Sequence, residues 1–266
     1  MESIKEFEYG QMTGYLKPML IEREVDGRPF KKRPGLLVLP GGGYFFTSDR
    51  EAEPVARFFN SKGFNCFVLR YSVNRGKGCF PAPFFQAAKA MEYIRQNCDE
   101  FNVDPDRVFV IGFSAGGHLA AWLSNGCDSP LANELGIDPR LSRPNGQVLC
   151  YPVIKISDFY NGGTGENLFG CNDFKEREEF PDLSCHKMVT KNSPPAFIWQ
   201  TADDQTVPAE NSLCMAAALN EAGVPFELHL YKSGVHGLSL CDKTTETVSK
   251  ECESWKELCV DFLKSL

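Results

Sequence analysis

Gly112-Phe113-Ser114-Ala115-Gly116 is the stretch that decides how this chain folds. It follows Arg107-Val108-Phe109-Val110-Ile111, an apolar run with strand character, and leads into His118-Leu119-Ala120-Ala121-Trp122-Leu123, which reads as a buried helix. A serine among small residues between a strand and a helix is the setting of a nucleophile elbow. So tight a turn needs unusual backbone angles and a close approach of strand and helix, and glycine allows both. Ser114 would then project alone. The pentapeptide by itself also allows a serine N-cap at an ordinary turn, so the rest of the chain has to decide.

Outward from the elbow, strand-like runs alternate with helical patterns, which is how a parallel sheet with covering helices is written in sequence. Strands are predicted at Gly35–Leu39, Phe64–Tyr71, Val108–Ile111, Gln147–Tyr151, Ala196–Thr201 and Phe226–Tyr231. Helices are predicted at Ala52–Lys62, Phe84–Glu100, Pro208–Ala222 and Val248–Leu266, with antiparallel edge strands within Thr13–Glu24. The expected class is α/β, one domain over 1–266. One region breaks the rhythm: Lys155 to Pro195 carries Gly162-Gly163, Gly170, a charged run and Pro194-Pro195. An irregular insertion of this length in a compact domain suggests a cap or lid.

The 266 residues, 42% of them hydrophobic and 24% charged, suffice for a full core. A net charge of -7 argues against a nucleic-acid partner. No apolar stretch has the length of a membrane span, and the polar start Met1-Glu2-Ser3 is not followed by a signal-peptide core. A soluble cytoplasmic protein is expected. The eleven cysteines are odd in number and none are spaced C-x-x-C, so they read as reduced, structural thiols.

Pro40-Gly41-Gly42-Gly43-Tyr44 directly follows the strand ending at Leu39. Successive glycines let backbone amides approach a ligand, as an oxyanion hole requires. Neither a phosphate loop nor a dinucleotide fingerprint fits, because the Gly-Lys-Ser/Thr ending and the G-x-G-x-x-G spacing are both absent. A base for Ser114 must come from four histidines. His118 lies one turn along the elbow helix and should pack beneath the site; His229 sits within a strand and His186 in the irregular region. His236, in Ser233-Gly234-Val235-His236-Gly237-Leu238, follows a strand's C-terminal end, where ligand sites of open α/β sheets gather. An orienting acid should stand between serine and histidine, and Asp203-Asp204 leaves the strand ending at Thr201. Either aspartate could serve while the other holds the loop. Arg50, Glu51 and Glu53 read as structural ion pairs or helix-start charges rather than substrate contacts. Phe45, Phe46, Phe84 and Phe85 read as core or cleft wall.

The order glycine loop, Gly-x-Ser-x-Gly, Asp-x-x-Val-Pro and Gly-x-His-Gly resembles the α/β-hydrolase superfamily over nearly the whole chain. Pro40-Gly41-Gly42-Gly43-Tyr44, Arg50-Glu51-Ala52-Glu53-Pro54-Val55-Ala56, Gly112-Phe113-Ser114-Ala115-Gly116-Gly117-His118 and Thr201-Ala202-Asp203-Asp204-Gln205-Thr206-Val207-Pro208 are similar to the bacterial acetyl esterase, or acetylxylan esterase-like, group. The resemblance implies Ser114 as nucleophile, His236 as base and Asp204 as acid, with Asp203 the alternative. It implies oxyanion donors at Ala115 and at Gly42 or Gly43, no metal or organic cofactor, and a small ester substrate such as an acetylated sugar. Feruloyl esters and arylformamides are alternative substrates, and a non-catalytic binding module on the same scaffold is the rival of another class. Lipase relatives carry histidine where this chain has Pro40, so nothing is imported from that histidine.

Overall fold

A computed structural model describes residues 3–157 and 163–266 of the chain. In chain order the strands are β1 (Lys5–Tyr9), β2 (Met12–Met19), the short pair β3 (Glu24–Val25) and β4 (Arg28–Pro29), β5 (Arg33–Leu39), β6 (Asn65–Arg70), β7 (Val103–Phe113), β8 (Gln147–Cys150), β9 (Ala196–Thr201) and β10 (Phe226–Tyr231). The helices are α1 (Glu53–Ser61), α2 (Ala82–Gln96), α3 (Ala115–Asn125), α4 (Pro130–Glu134), α5 (Pro139–Ser142), α6 (Thr164–Phe169), α7 (Glu210–Glu221) and α8 (Trp255–Ser265). Eight strands form one sheet in the order β1-β2-β6-β5-β7-β8-β9-β10, parallel from β6 to β10, with β1 and β2 antiparallel at one edge. This is the α/β-hydrolase fold.

The sheet's two-residue alternation splits the core. Leu37, Leu39, Val110 and Leu149 face one way, into α2, α3 and α7. Leu36, Val38, Ile111, Phe113 and Trp199 face the other, into α1 and α8. From β5 the chain crosses outward to β6, then returns past β5 to β7 and runs on toward the opposite edge. The sheet therefore has its topological switch point between β5 and β7, where a crevice opens at the strands' C-terminal ends. The glycine loop leaves β5 and Ser114 leaves β7, with Leu39 paired beside Gly112.

Most boundaries shift by a residue or more from the sequence reading, β7 starting five residues early at Val103, and three shifts have a local cause. The edge hairpin starts earlier than Thr13, turning at Gly10, whose φ of +59° suits glycine. α2 ends at Gln96 because Asn97 folds its side-chain amide back onto the Tyr93 carbonyl (2.7 Å). The last helix begins at Trp255 rather than Val248: the Ser249 amide donates to the Cys241 carbonyl (2.9 Å) and the Thr247 hydroxyl to that of Leu238 (2.6 Å), diverting the backbone from a helix.

The described part of 155–195 packs closely. Phe169 stacks on Phe174 and lies 5.2 Å, centroid to centroid, from Phe80. The Cys79 amide donates to the Leu168 carbonyl (2.8 Å), and Leu183 and Cys185 are buried. Gly162, part of the glycine pair noted above, lies outside the described residues. All eleven cysteines are free thiols. Burial raises the thiol pKa at several of them, to about 12 at Cys79 and Cys127. Among the described residues no helix is long and apolar enough to cross a membrane.

Candidate active site

Ser114 sits at φ 53°, ψ −118°, a conformation that costs a non-glycine residue about 1–3 kcal/mol. The surroundings enforce it. The Ser114 amide donates to the Cys150 carbonyl (3.0 Å), while its own carbonyl accepts from the amides of His118 (3.0 Å) and Val153 (3.1 Å). Two glycines are sterically required. A Cβ on Gly112 would stand 2.1 Å from the Gly116 carbonyl oxygen, and one on Gly116 would stand 2.2 Å from that of Leu39. The Ser114 side chain makes no cap bond to α3, which removes the N-cap alternative.

Instead its hydroxyl meets His236. Nδ1 of His236 lies 2.7 Å from Asp204 Oδ2, and a carboxylate accepts, so Nδ1 carries the proton. Nε2 is then the lone-pair nitrogen and accepts from Ser114 Oγ at 2.8 Å. Asp204 is buried, and its other oxygen accepts from the amides of Thr206 (2.9 Å) and Val207 (3.0 Å), which fixes the carboxylate plane. Asp203 points elsewhere: it accepts from the Ser233 hydroxyl (2.6 Å) and the Gly234 amide (2.9 Å), and these bonds, the hydroxyl's first, hold its carboxyl below the usual range. The adjacent aspartates thus divide two tasks. One contacts the imidazole and the other anchors the loop that carries it.

The glycine loop is oriented through its carbonyls. Pro40 accepts from the Tyr71 hydroxyl (2.6 Å), Gly41 from the Ser48 amide (2.9 Å), Gly42 from the Phe45 amide (3.0 Å) and Gly43 from Asn167 Nδ2 (2.9 Å). Gly42 has φ 125°, and a Cβ there would lie 2.1 Å from the Phe46 carbonyl oxygen. The Gly41 amide is taken by Glu51 Oε2 (2.9 Å). Among the described residues, no acceptor takes the amides of Gly42, Gly43 or Ala115. Gly42 and Gly43 line the cleft beside Ser114, and Ala115 opens α3, whose positive end faces the same space.

Glu51 is the residue the sequence underrated. Glu53 does form the expected ion pair, with Arg70 (2.6 Å), but Glu51 is buried and, among the described residues, has no ion pair. Its second oxygen accepts from the Tyr151 hydroxyl (2.7 Å), which in turn accepts from the Ser239 amide (2.9 Å). The Tyr151 ring packs edge-on against His236 at 5.0 Å. Burial, then the Glu51 charge, push this phenol well above its ordinary pKa, so it remains a donor. One buried carboxylate therefore ties the glycine loop to the histidine loop. The only sequence signal was an acidic residue ten positions past the glycines.

The other histidines stay away from Ser114. His118 is buried, donates from Nε2 to the Leu183 carbonyl (2.9 Å) and accepts at Nδ1 from the Tyr44 hydroxyl (2.9 Å). Burial depresses its pKa to about 4. His229 pairs with Glu227 on the edge strand, and His186 is not among the residues lining the cleft. The cleft holds about 380 Å³. Phe45 and Phe46 are exposed on its wall; Phe84 is core, against Trp122, and Phe85 packs on Tyr9. Thr164 and Asn167 bring the 155–195 region to the cleft. A hydroxyl bonded to a neutral imidazole, opposite unpaired amides, can attack a carbonyl and have its oxyanion held.

The BD-FAE family matches residues 28–219. The acetyl ester-xyloside bifunctional hydrolase of Caldicellulosiruptor lactoaceticus is 36% identical, with a TM-score of 0.79 over 96% of this chain and 89% of that one. A carboxylesterase from Lactobacillus plantarum WCFS1 superposes with a TM-score of 0.85 at 25% identity, covering 100% of this chain and 97% of that one. Endo-1,4-beta-xylanase B of Butyrivibrio fibrisolvens is 35% identical over 79% of this chain, and the acetylxylan esterase of Xylanibacter ruminicola 29% identical over 75%. The chain spans 33% and 40% of those two proteins' lengths. On the family match and the shared fold, this chain belongs to the BD-FAE family of α/β hydrolases.

Proposed function

We propose that the chain is a serine carboxylesterase that removes short acyl groups, acetyl first, from carbohydrate esters such as acetylated xylo-oligosaccharides. The observation that carries this is the unbroken line from Asp204 through His236 to Ser114, 2.7 and 2.8 Å long, facing the unpaired amides of the glycine loop. His236 takes the Ser114 proton as Oγ attacks the ester carbonyl, and Asp204 stabilises the imidazolium that forms. The amides of Ala115 and of Gly42 or Gly43 receive the oxyanion, each donor contributing roughly 3–4 kcal/mol to the transition state in comparable sites. His236 then protonates the departing alcohol, and water, deprotonated by the same ring, releases the acid. No step calls on a metal or cofactor. The sugar ester is suggested by two relatives, an acetyl ester-xyloside bifunctional hydrolase and an acetylxylan esterase.

A second reading, an aromatic acyl group such as feruloyl, is favoured by one feature: Phe45 and Phe46 stand exposed on the cleft wall, where a flat ring could stack. Turnover of acetyl, butyryl and feruloyl esters of one xylo-oligosaccharide separates the readings, with acetyl expected fastest. Ser114→Ala should lower kcat by at least about 10⁴-fold, with the far-UV spectrum and melting temperature little changed. Retained turnover in that variant would sink the Ser114 assignment, and no fluorophosphonate adduct on wild-type Ser114 would favour a non-catalytic binding module.

A further inference from the structure

The charges of 49–53 are nearly all accounted for. Asp49 pairs with Arg70 (2.9 Å), and Glu53 with Arg70 (2.6 Å) and Lys17 (3.4 Å). Glu51 is held by the Gly41 amide and the Tyr151 hydroxyl. Arg50 remains. Among the described residues its guanidinium has no ion pair and no hydrogen-bond partner, although it lines the cleft with Ser114 and His236. The backbone beneath it is fixed, because the Arg50 carbonyl accepts from the Ser239 hydroxyl (2.7 Å) on the segment that follows the histidine. Nη2 lies 3.5 Å from where a Cβ of Gly237 would be, so the charge rests against the residue next to His236.

That position says which part of a substrate would meet it. In the esterase reading, on which this inference rests, His236 delivers a proton to the leaving oxygen, so the alcohol must depart along the histidine loop. The carboxylates near this path, Glu51 and Asp204, are buried and already hydrogen-bonded, and so do not compete for the guanidinium. A planar fork of donors suits a carboxylate, which it can hold through two parallel bonds. We infer that Arg50 is a specificity-determining residue, and that the preferred substrates are esters whose alcohol part carries a carboxylate, as in an acetylated oligosaccharide bearing a uronic acid.

Solvent reaches Arg50, so the effect is bounded. An exposed ion pair is worth a few-fold in binding, and a two-point charged hydrogen bond in a cleft about tenfold. The test compares 3- and 4-acetoxybenzoate with their uncharged methyl esters, which share the acetyl group and the ring. In wild type, kcat/KM for at least one acid should exceed that for its methyl ester. Arg50→Gln should cut this acid-to-ester ratio about three- to tenfold, and Arg50→Lys should restore part of it. Raising salt from 0.05 to 0.5 M should shrink the wild-type ratio toward that of Arg50→Gln. Because the methyl ester is measured on the same preparation, poor folding of a variant cancels in the ratio. An equal ratio in wild type and Arg50→Gln overturns the inference and leaves the esterase standing. If wild type cleaves neither kind of ester, the esterase reading itself fails.

Discussion

The elbow and the 155–195 region border the same cleft but are held in opposite ways. At the elbow, backbone sterics dominate: a positive φ at Ser114, and two glycines whose Cβ atoms would collide with backbone at 2.1 and 2.2 Å, one of them with Leu39 of the neighbouring strand. The described part of 155–195 has one such backbone position, Gly170, with φ 77° and a would-be Cβ 2.7 Å from the Gly78 nitrogen, and otherwise leans on side chains and single hydrogen bonds. It is held by distant partners, with Phe169 against Phe80, Leu168 accepting from Cys79 and Leu183 accepting from His118. A frame built on backbone close-packing is rigid and can hold side chains in line. A region built on scattered contacts can be reshaped without disturbing that line, and so suits the shaping of the cleft.

The largest effect should come from the frame. Asp204→Asn removes the acceptor that keeps the proton on Nδ1 of His236, and should lower kcat by about 10⁴-fold. Asp203→Asn leaves that bond in place and loosens only the Ser233-Gly234 anchor, so a loss below about tenfold is expected. Reversal of this order in ester kinetics would move the acid to Asp203. A smaller effect should come from the 155–195 region, through the bond from Asn167 to the glycine loop. Asn167→Ala frees the Gly43 carbonyl, and should lower kcat about fivefold with KM nearly unchanged, corresponding to one hydrogen bond of ~1 kcal/mol felt mainly in the transition state. A rise in KM with kcat intact would instead make Asn167 a substrate contact.

The same contrast sets what could be read from the sequence. Ser114, His236, Asp204 and the glycines, which the structure brings together, could be picked out because each sits in a short pattern: small residues at a strand-to-helix turn, or a polar side chain just past the C-terminal end of a strand. Most strands were legible as buried apolar runs, β5, β6, β8, β9 and the second half of β7, whereas the half-exposed start of β7 was not. Glu51 was not legible. An acidic residue before a helix resembles a first-turn charge, and nothing nearby in sequence reveals that Tyr151, a hundred positions on, supplies its second hydrogen bond. Asn167 and the Leu183 carbonyl escaped for the same reason. Their partners, Gly43 and His118, are set by tertiary packing, which periodicity does not encode.

His118 joins the two regions, and pH should test the joint through stability rather than turnover. It stands on the elbow helix, and its Nε2 holds Leu183 of the 155–195 region while Nδ1 accepts from Tyr44. Burial is the first cause of its pKa falling from 6.5 to about 4, partly offset by the bond to Leu183 and the charge of Asp182. The unfolded chain therefore takes up a proton near pH 6.5 that the folded chain refuses until about pH 4. Stability is at its full value above pH 6.5 and declines as pH falls through this window, by roughly 3 kcal/mol in all from this ring. Urea unfolding at intervals between pH 7 and 4 should reveal the decline. In His118→Gln the slope should flatten even though stability at pH 7 drops, because Gln can donate to Leu183 but does not titrate. Since protonating Nδ1 removes the acceptor for Tyr44 rather than the bond to Leu183, the glycine-loop side should loosen first. Hydrogen exchange at pH 4.5 should then quicken around Tyr44 before it quickens around Leu183. The reverse order would put the acid-sensitive contact in the 155–195 region rather than in the frame.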